Sequence, residues 1–291
     1  MKVDKFRTVI IYIIIILLGL VCLLPLLNIV AISFSSSAAV EGNMVGLIPV
    51  GFSTAAYEKI LEDSQFWHSF LISVERVVLA LIINFVLIVL MAYPLSKTNA
   101  QFRGRNIYAN LMIFAMLFNG GMIPTFLLVK SYGLLNTVWA LVLPGAVPIF
   151  NVILVMNFFA AVPKELEEAA FIDGAKPLQV LTKIFIPISK PVLATVSLFS
   201  IVGSWNDFYS GLIYMSKATY YPLMTYIQSL QINVEDLIKQ GNLSAVVDSA
   251  SLGNTNLNAA KIVVAVIPLL LIYPLLQRYF VSGIVVGSVK G

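Results

Sequence analysis

The stretch EEAAFIDGAKPLQVLTKIFIPISKP, residues 167–191, is a compact island of charged and small residues in a very apolar chain. Of the 291 residues, 59% are hydrophobic and 11% are charged, and the mean hydropathy is +0.95. Soluble domains carry about 25% charged residues, so this chain has too few polar side chains to cover a globule in water. Lipid must therefore be the solvent for much of the chain, and the charged island needs an explanation of its own.

The first apolar run resembles a signal peptide at its start but is too long to be one. Residues 9–32 form this run, whereas the core of a signal peptide has about 7–15 apolar residues. At about 1.5 Å per residue the run can cross a hydrocarbon core of roughly 30 Å, which predicts a retained anchor helix. Cys22, the single cysteine, lies inside this run and can form no intrachain disulfide.

Five further apolar runs pass the same length test, and we expect an all-α membrane protein with six transmembrane helices. Each span must be helical, because lipid offers the backbone no other hydrogen-bond partners. The predicted spans are residues 9–32, 69–95, 107–129, 138–161, 192–214 and 260–280.

Six spans place both termini on one side of the membrane, and the basic residues indicate which side. With cytoplasmic termini, twelve of the eighteen Lys and Arg lie inside, and six lie outside: Lys59, Arg76, Lys130, Lys217, Lys239 and Lys261. This distribution agrees with the positive-inside rule, so we predict that both termini are cytoplasmic. Because the basic residues are scattered between apolar runs, the net charge of +4 does not indicate a nucleic-acid partner.

This topology divides the chain into an N-terminal tail with the first helix (1–33), an extracellular loop (34–68), a core transmembrane domain (69–281) and a cytoplasmic tail (282–291). The island, over about 163–190, lies in the cytoplasm between spans four and five. The first outer loop contains a predicted short helix, STAAYEKILED, and the second outer loop, 215–259, includes the Ser- and Asn-rich stretch GNLSAVVDSASLGNTNLN, which predicts loop.

The sequence contains no recognisable catalytic or metal-binding constellation. His68 is the only histidine and has no second His or Cys nearby, so we expect it to pack at the membrane interface. No G-x-x-x-x-G-K-[ST] motif is present, so we expect no nucleotide site, no metal and no cofactor on this chain. Transport would then draw on an ion gradient or on a partner that hydrolyses ATP.

Ionisable residues are almost absent from the predicted spans. A gradient-driven carrier would be expected to retain such residues in mid-membrane, because they are costly there and persist only for function. Asp207 is the main candidate, and the sequence shows no obvious partner for it within the membrane. We expect Asp207 to form part of the polar wall of a pathway, which disfavours a secondary transporter.

Gly174 and Pro177 divide the island into two short helices. Three carboxylates crowd the first turn, where they suit the positive end of the helix dipole: Glu165, Glu167 and Glu168. Helical spacing places four residues on one outward face with adjacent alanines: Leu166, Ala169, Ala170 and Asp173. On the second helix an apolar set is expected to lie against the membrane helices: Val180, Leu181, Ile184 and Phe185. Periodicity alone is equally consistent with a solvated connector.

The island resembles the EAA motif of ABC importer permeases, E-A-A-x3-G-x9-I-x-L-P. Six residues match it at the family's spacing, with Ile186 where leucine is usual: Glu168, Ala169, Ala170, Gly174, Ile184 and Pro187. In that family the segment contains the coupling helices that dock into a groove on the cytoplasmic ATPase subunits. The resemblance therefore implies an ATPase-coupling role for these residues and for Asp173, and a type I ABC importer permease fold.

Further segments resemble the permeases of carbohydrate importers, in particular the smaller permease of the maltose type. These are FRGRN (102–106), YGLLNTVWALVLP (132–144), WNDF (205–208) and the terminal GSVKG (287–291), whose Lys290 and Gly291 would reach toward the ATPases. FNGGMIPTFLLVKSYGLLNT (118–137) and IYPLLQRYF (272–280) resemble the branch that handles larger or modified oligosaccharides.

The resemblance implies one half of a heteromeric pore in a bacterial cell membrane, with a carbohydrate, and specifically an oligosaccharide, as cargo. The implied partners are a homologous second permease subunit, two ATPase subunits that bind ATP and Mg, and an extracellular solute-binding protein. An importer of the same superfamily for another solute, and a secondary transporter or membrane receptor, are the alternatives.

Polar and aromatic groups within the spans are the candidates for the substrate path, because amides, carboxylates and aromatic faces suit sugars. They are Asn119, Asn151, Asn157, Trp205, Asn206, Asp207, Tyr209 and Tyr214. Each of them also suits a hydrogen bond or packing contact between helices.

Overall fold

The computed structural model describes residues 5–118, 120–230 and 255–287. All regular secondary structure in these ranges is helical, as the composition predicts. The predicted path residue Asn119 and the predicted tail residues Lys290 and Gly291 lie outside them, as does most of the predicted loop at 241–258.

The described ranges contain fifteen α-helices. In chain order they are α1 (Lys5–Ser33), α2 (Ser37–Glu41), α3 (Ala55–Glu62), α4 (Ser64–Leu95), α5 (Arg105–Leu117), α6 (Met122–Ser131), α7 (Val138–Val142), α8 (Ile149–Ala160), α9 (Lys164–Ile172), α10 (Pro177–Val180), α11 (Ile186–Ile188), α12 (Lys190–Asn206), α13 (Tyr209–Tyr214), α14 (223–230) and α15 (Thr255–Gly287). A 3-10 turn, Leu143–Gly145, follows α7, and a π-helical turn, Leu181–Phe185, joins α10 to α11. The short helix predicted in the first outer loop is confirmed as α3.

Three of the predicted spans exist as unbroken helices: α1, α4 and the first part of α15. The number of candidate crossings reaches six when each of three bent helix pairs is taken as one span. One such pair bends by 48° between Val138–Gly145 and Ile149–Ala160. Pro144 and Pro148 lie in this break, where proline removes a backbone donor and disfavours helix in the preceding residue.

Two helices begin earlier than predicted because polar side chains bind at their starts. α4 begins at Ser64 rather than at residue 69, and Asp63 Oδ1 accepts the backbone N–H of Phe66 at 2.9 Å. α15 begins at Thr255 rather than at residue 260, so the prediction of loop over residues 255–258 is wrong. There Asn256 is buried and donates to the carbonyl of Ser35 at 3.2 Å, so a polar residue is accommodated within the helix.

The chain divides into two compact units. The first comprises residues up to Trp67 and from Tyr226 to Pro268. Its polar centre is Asp63, whose Oδ2 lies 2.7 Å from the Lys261 ammonium and accepts the Tyr226 hydroxyl at 2.9 Å. Burial alone would raise the pKa of Asp63, but the bonds from Lys261, Phe66 and Tyr226 outweigh it and hold the pKa below its ordinary value.

The second unit comprises residues 68–225 and the chain from Leu269 onward. Its apolar core joins the C-terminal half of α4 to α8, α12 and the second half of the island. Ile88, Val155, Val180, Phe185 and Val196 are buried members of this core. The expected packing of the island's second half against the membrane helices is therefore confirmed.

Candidate functional site

The turn between α9 and α10 explains the glycine and the proline of the island. Gly174 has a φ of +79°, the left-handed conformation that favours glycine after a helix, and the Ala175 N–H closes α9 by donating to the Ala170 carbonyl at 2.9 Å. Pro177 is the first residue of α10, where its missing N–H costs nothing. The Lys176 N–H donates to Gln179 Oε1 at 2.8 Å and fixes the entry to α10.

The motif residues divide between the surface and the core. Five of them are exposed: Glu168, Ala169, Asp173, Gly174 and Pro187. Ala170 and Ile184 are half-buried and pack against the apolar core of the second unit. The expectation that both alanines belong to the outward face is therefore wrong for Ala170, because α9 presents that side to the core.

Glu167 anchors the motif helix to the end of α4. Its side chain is 8% exposed, and its Oε2 lies 2.7 Å from the Lys97 ammonium. The Tyr93 hydroxyl donates to Oε1 at 3.3 Å. The Lys97 ammonium also lies 4.1 Å and 4.2 Å from the ring centroids of Tyr93 and Phe185, a cation–π arrangement.

The contact between Lys97 and Glu167 affects the pKa of Lys97. Burial lowers the pKa of Lys97, although the Glu167 carboxylate favours the charged form. Glu165 and Glu167 lie in the first turn of α9, as predicted, and the Glu167 carboxylate also binds Lys97 and Tyr93 at the end of α4. The sequence contains a signal for this contact. Glu167 lies on the same helical face as Ala170, three residues on, and not on the face of Glu168.

A polar cavity of about 250 Å³ lies elsewhere in the second unit, between α4, the break after α7, α8, α12 and α13. Its polar lining includes Arg76, Asn84, Asn151, Ser200, Asp207 and Ser210. Two of the predicted path residues, Asn151 and Asp207, are thus brought together. Arg76 is 4% exposed and Asn151 is 6% exposed, so these two polar side chains of the lining are buried.

Asp207 has a partner that the sequence did not reveal. Arg76 Nη2 forms an ion pair with Asp207 Oδ2, and Arg76 Nη1 donates to the Asp207 carbonyl at 2.9 Å. Asp207 Oδ1 accepts the backbone N–H groups of Tyr209 and Ser210 at 3.0 and 3.1 Å. The expectation that Asp207 lacks an intramembrane partner is wrong.

These bonds also explain why the predicted span 192–214 is not one helix. α12 ends at Asn206 and α13 begins at Tyr209, with Asp207 in an extended conformation between them. Non-helical backbone at membrane depth is tolerated where protein groups satisfy its donors and acceptors, and Asp207 and Arg76 supply these partners.

The packing of α13 supports the same break. The hydroxyl of Thr225, a fully buried residue, donates to the Phe208 carbonyl at 2.8 Å. A Cβ built on Gly211 would lie 2.1 Å from Thr225 Oγ1, so only glycine fits at this position. The close approach holds Thr225 where it can satisfy the carbonyl in the break.

Asn84 connects α4 to a second break. With its amide oriented to satisfy its neighbours, Asn84 Nδ2 donates to the Ala146 carbonyl at 3.0 Å and to the Gly145 carbonyl at 3.3 Å. Its Oδ1 accepts the Ser200 hydroxyl of α12 at 3.2 Å. The polar cavity is therefore built around two interruptions of the helices, each bound by a polar residue of α4.

The remaining predicted path residues lie outside this cavity. Trp205 and Tyr214 are buried in aromatic packing, with ring centroids 5.6 Å from Phe70 and 6.5 Å from Phe126. Three others are exposed: Asn157, Asn206 and Tyr209.

Sequence reasoning missed Arg76, Asn84, Ser200, Ser204 and Ser210 as members of this site. Helical spacing could have found several of them, since Arg76 and Asn84 lie eight residues apart on one face of α4. Ser200, Ser204 and Asp207 similarly follow one another at i, i+4 and i+7 along the fifth predicted span.

Comparison with known proteins places this architecture in a family. The model of "Binding-protein-dependent transport system inner membrane component" matches residues 77–286. Protein LplC of Bacillus subtilis is 40% identical over 273 residues, covering 94% of this chain and 91% of the relative. The polygalacturonan/rhamnogalacturonan transport system permease protein YtcP, from the same organism, is 39% identical over 288 residues, or 99% of both chains.

A solved structure agrees. The crystal structure of a bacterial ABC transporter involved in the import of the acidic polysaccharide alginate contains a chain that is 32% identical, with a TM-score of 0.83 over 96% of this chain and 98% of that chain. The chain therefore belongs to the binding-protein-dependent transport system inner membrane components, as a multi-pass permease subunit of an ABC importer rather than an enzyme.

Proposed function

We propose that the chain forms one half of the translocation pathway of an oligosaccharide importer, with six membrane crossings and cytoplasmic termini. The apolar helices α1, α4 and α15 and the three bent pairs support six crossings. The Lys and Arg count supports the orientation, since twelve of the eighteen lie on the cytoplasmic side in this topology.

The exposed part of the motif serves as the docking surface for a cytoplasmic ATPase. The observation that carries this role is the division of α9 into two faces. Glu168, Ala169 and Asp173 are exposed, while Glu167 and Ala170 bind the end of α4 and the apolar core. A force applied to the exposed face would reach α4, α8 and α12 through contacts that are already formed.

The remaining partners complete the importer. A homologous second permease forms the other half of the pathway, two ATPase subunits carry ATP and Mg, and an extracellular solute-binding protein delivers the cargo. We propose that the terminal Lys290 and Gly291, which lie outside the described residues, also serve the contact with the ATPases. The family description, which specifies transport that depends on a binding protein, supports the solute-binding partner.

The cargo is an oligosaccharide derived from an acidic polysaccharide, and the polar cavity with Asn151 and Asp207 borders its path. The names of two similar proteins support this class, since one specifies polygalacturonan and rhamnogalacturonan and the other specifies alginate. Asp207 is held by Arg76 and by two backbone N–H groups, which disfavours the alternative of a carrier that uses it as a proton site.

The docking role is tested by placing a larger side chain on the exposed face of α9. Ala169→Arg places a long cation on the exposed side of α9, and we expect it to abolish both co-purification of the ATPase and uptake of cargo. Glu165→Arg is the matched control, because Glu165 is exposed on the same helix but lies outside the motif. If Ala169→Arg retained the ATPase and full uptake, the docking surface would lie elsewhere.

The cargo class is tested separately with the intact importer and its binding protein in vesicles. We expect ATP-dependent uptake of labelled oligogalacturonates and little uptake of neutral malto-oligosaccharides of equal length. Uptake of the neutral sugars alone would contradict the acidic class, while the permease function would stand. Uptake that an uncoupler stops at fixed ATP would contradict the ATP-driven mechanism.

A further inference from the structure

A second cavity in the same unit has a different chemistry from the polar one. It has a volume of about 450 Å³ and lies between the end of α4, α5 and the residues that precede α8. Its lining is almost entirely apolar and includes Leu90, Met91, Leu111, Met112, Ala115 and Ile149. The volume lies within the range of roughly 300–1,000 Å³ that is usual for ligand pockets. None of these residues belongs to the motif surface or to the polar cavity.

One end of this apolar groove carries positive charge and an aromatic pair. Arg105 Nε donates to the carbonyl of Leu95, a lining residue, at 2.9 Å. The rings of Phe102 and Tyr108, which also line the groove, stack with centroids 5.8 Å apart. Arg103 directly follows Phe102, and within the described ranges neither Arg103 nor Arg105 forms an ion pair with a carboxylate.

We propose that the groove binds one acyl chain of an anionic phospholipid, with the phosphate headgroup against Arg103 and Arg105. The apolar walls suit a hydrocarbon chain, and basic pockets between membrane helices on the cytoplasmic side suit anionic headgroups. Tyr108 is 55% exposed at the charged end, where an amphipathic ring lies level with lipid headgroups. The proposal rests on the proposed orientation, which places residues 102–106 on the cytoplasmic side, and is independent of the cargo.

The charge at one end of the groove favours a lipid over an apolar helix of a partner subunit. Arg103 and Arg105, which form no ion pair within the described ranges, complement a phosphate and would be costly to cover with an apolar helix. An acyl chain, which is much narrower than a helix, suits the apolar lining.

Native mass spectrometry of the full-length chain in mild detergent tests the binding. We expect phosphatidylglycerol to bind roughly tenfold more tightly than phosphatidylcholine with identical acyl chains, because two basic residues adjoin the lining residues Phe102 and Leu95. The double variant Arg103→Gln/Arg105→Gln should lose this preference, while Arg7→Gln, an exposed basic residue at the start of α1, should retain it. Equal binding of the two lipids by the unsubstituted chain would overturn the proposal.

The acyl-chain part is tested by filling the groove. Ala115→Trp projects an indole into it and should remove binding of both lipids, whereas Ile113→Trp, on the same helix but outside the lining, should not. Unchanged phosphatidylglycerol binding in Ala115→Trp would contradict the assignment.

A third experiment needs no variant and uses the assembled importer in membranes. Phosphatidylglycerol with a photoreactive acyl chain should label the peptides that contain residues 108–115 and 147–149 above all others. Labelling spread evenly over the apolar helices would contradict a specific site. If the chain in membranes without its second permease were labelled at these peptides but the assembled importer were not, protein and not lipid would cover the groove.

Discussion

Two buried ion pairs tie α4 to distant parts of the second unit, and they differ in their surroundings. Arg76–Asp207 lies in a polar cavity, where both residues also satisfy the backbone of an interrupted helix. Lys97–Glu167 lies among the rings of Tyr93 and Phe185, where it joins two regular elements and satisfies no break. The first pair maintains an irregular backbone, whereas the second connects a surface helix to the membrane core.

The different surroundings of the two ion pairs predict that substitutions in them lower the free energy of unfolding by different amounts. Removing one member of a buried pair leaves a desolvated charge, which costs about 3–5 kcal/mol, whereas replacing both members by apolar groups is often nearly neutral. The Arg76–Asp207 pair should show the larger cost, because its loss also exposes unsatisfied backbone groups. The Lys97–Glu167 pair should tolerate joint replacement better.

The largest loss of stability is expected for Asp207→Ala. It leaves the Arg76 guanidinium unpaired and frees the N–H groups of Tyr209 and Ser210, so we expect a loss of about 3–5 kcal/mol in the free energy of unfolding. Thermal unfolding of the purified chain in detergent measures it. The double variant Arg76→Met/Asp207→Asn, which removes the charge and keeps an acceptor, should recover more than half of the loss. If the stability losses of the single variants Arg76→Met and Asp207→Asn instead added up in the double variant, the pair would not act as a unit.

The next effect is expected for Gly211→Ala, which tests the packing behind the same break. The added Cβ would collide with Thr225 and displace the hydroxyl that satisfies the Phe208 carbonyl, which should cost about 1–3 kcal/mol. Gly203→Ala is the matched control, because a Cβ on Gly203 meets no atom within 4 Å. Equal melting temperatures for the two variants would argue against the close approach.

A smaller loss of stability, with a larger loss of transport, is expected for Glu167→Gln. The amide keeps the shape of the side chain but leaves Lys97 without a counter-charge, so we expect a loss of about 1–2 kcal/mol. The exposed docking face is unchanged, so the ATPase should still co-purify while uptake falls. Glu168→Gln, one residue away and exposed, is the control for stability. Full uptake in Glu167→Gln would show that the pair does not transmit movement.

The smallest loss of stability is expected for a third ion pair, Asp63–Lys261, in the first unit. Because the pKa of Asp63 in the folded chain lies below its ordinary value, the unfolded chain binds more protons. The contribution of Asp63 is therefore complete above about pH 4 and is lost as the pH falls through the folded pKa. Thermal unfolding measured from about pH 6 down to about pH 3 should show this loss in the unsubstituted chain. Asp63→Asn should be less stable at neutral pH and should lack that part of the pH dependence.

Much of the architecture could be predicted because it depends on local sequence. Hydropathy located the apolar helices, and Gly174 with Pro177 located the turn in the island, since each residue constrains its own backbone. The break at 207–208 was not predicted, because polar residues in an apolar run are compatible with a continuous helix. Pro144 and Pro148 indicate a bend at 143–148 but do not distinguish a kinked helix from a break. The stability of both breaks depends on partners in α4.

The ion pairs could not be predicted from periodicity for a related reason. Arg76 and Asp207 are separated by 131 positions, and Lys97 and Glu167 by 70, so no helical spacing relates them. The sequence shows which faces are polar but not which faces meet. Asn84 illustrates the point, since its partners are the carbonyls of Gly145 and Ala146, which carry no side-chain signal.

One long-range pair starts within α4, at Arg76, and the other starts two residues beyond its end, at Lys97, and this restricts how the gene can change. From Arg76 to Leu95, two residues before Lys97, α4 rises about 29 Å, close to the thickness of the hydrocarbon core. A single inserted or deleted codon within this stretch would rotate one end by about 100° relative to the other. Lys97 would then turn away from Glu167 whenever Arg76 remained at Asp207. The nineteen codons from 77 to 95 should therefore not tolerate a change of length.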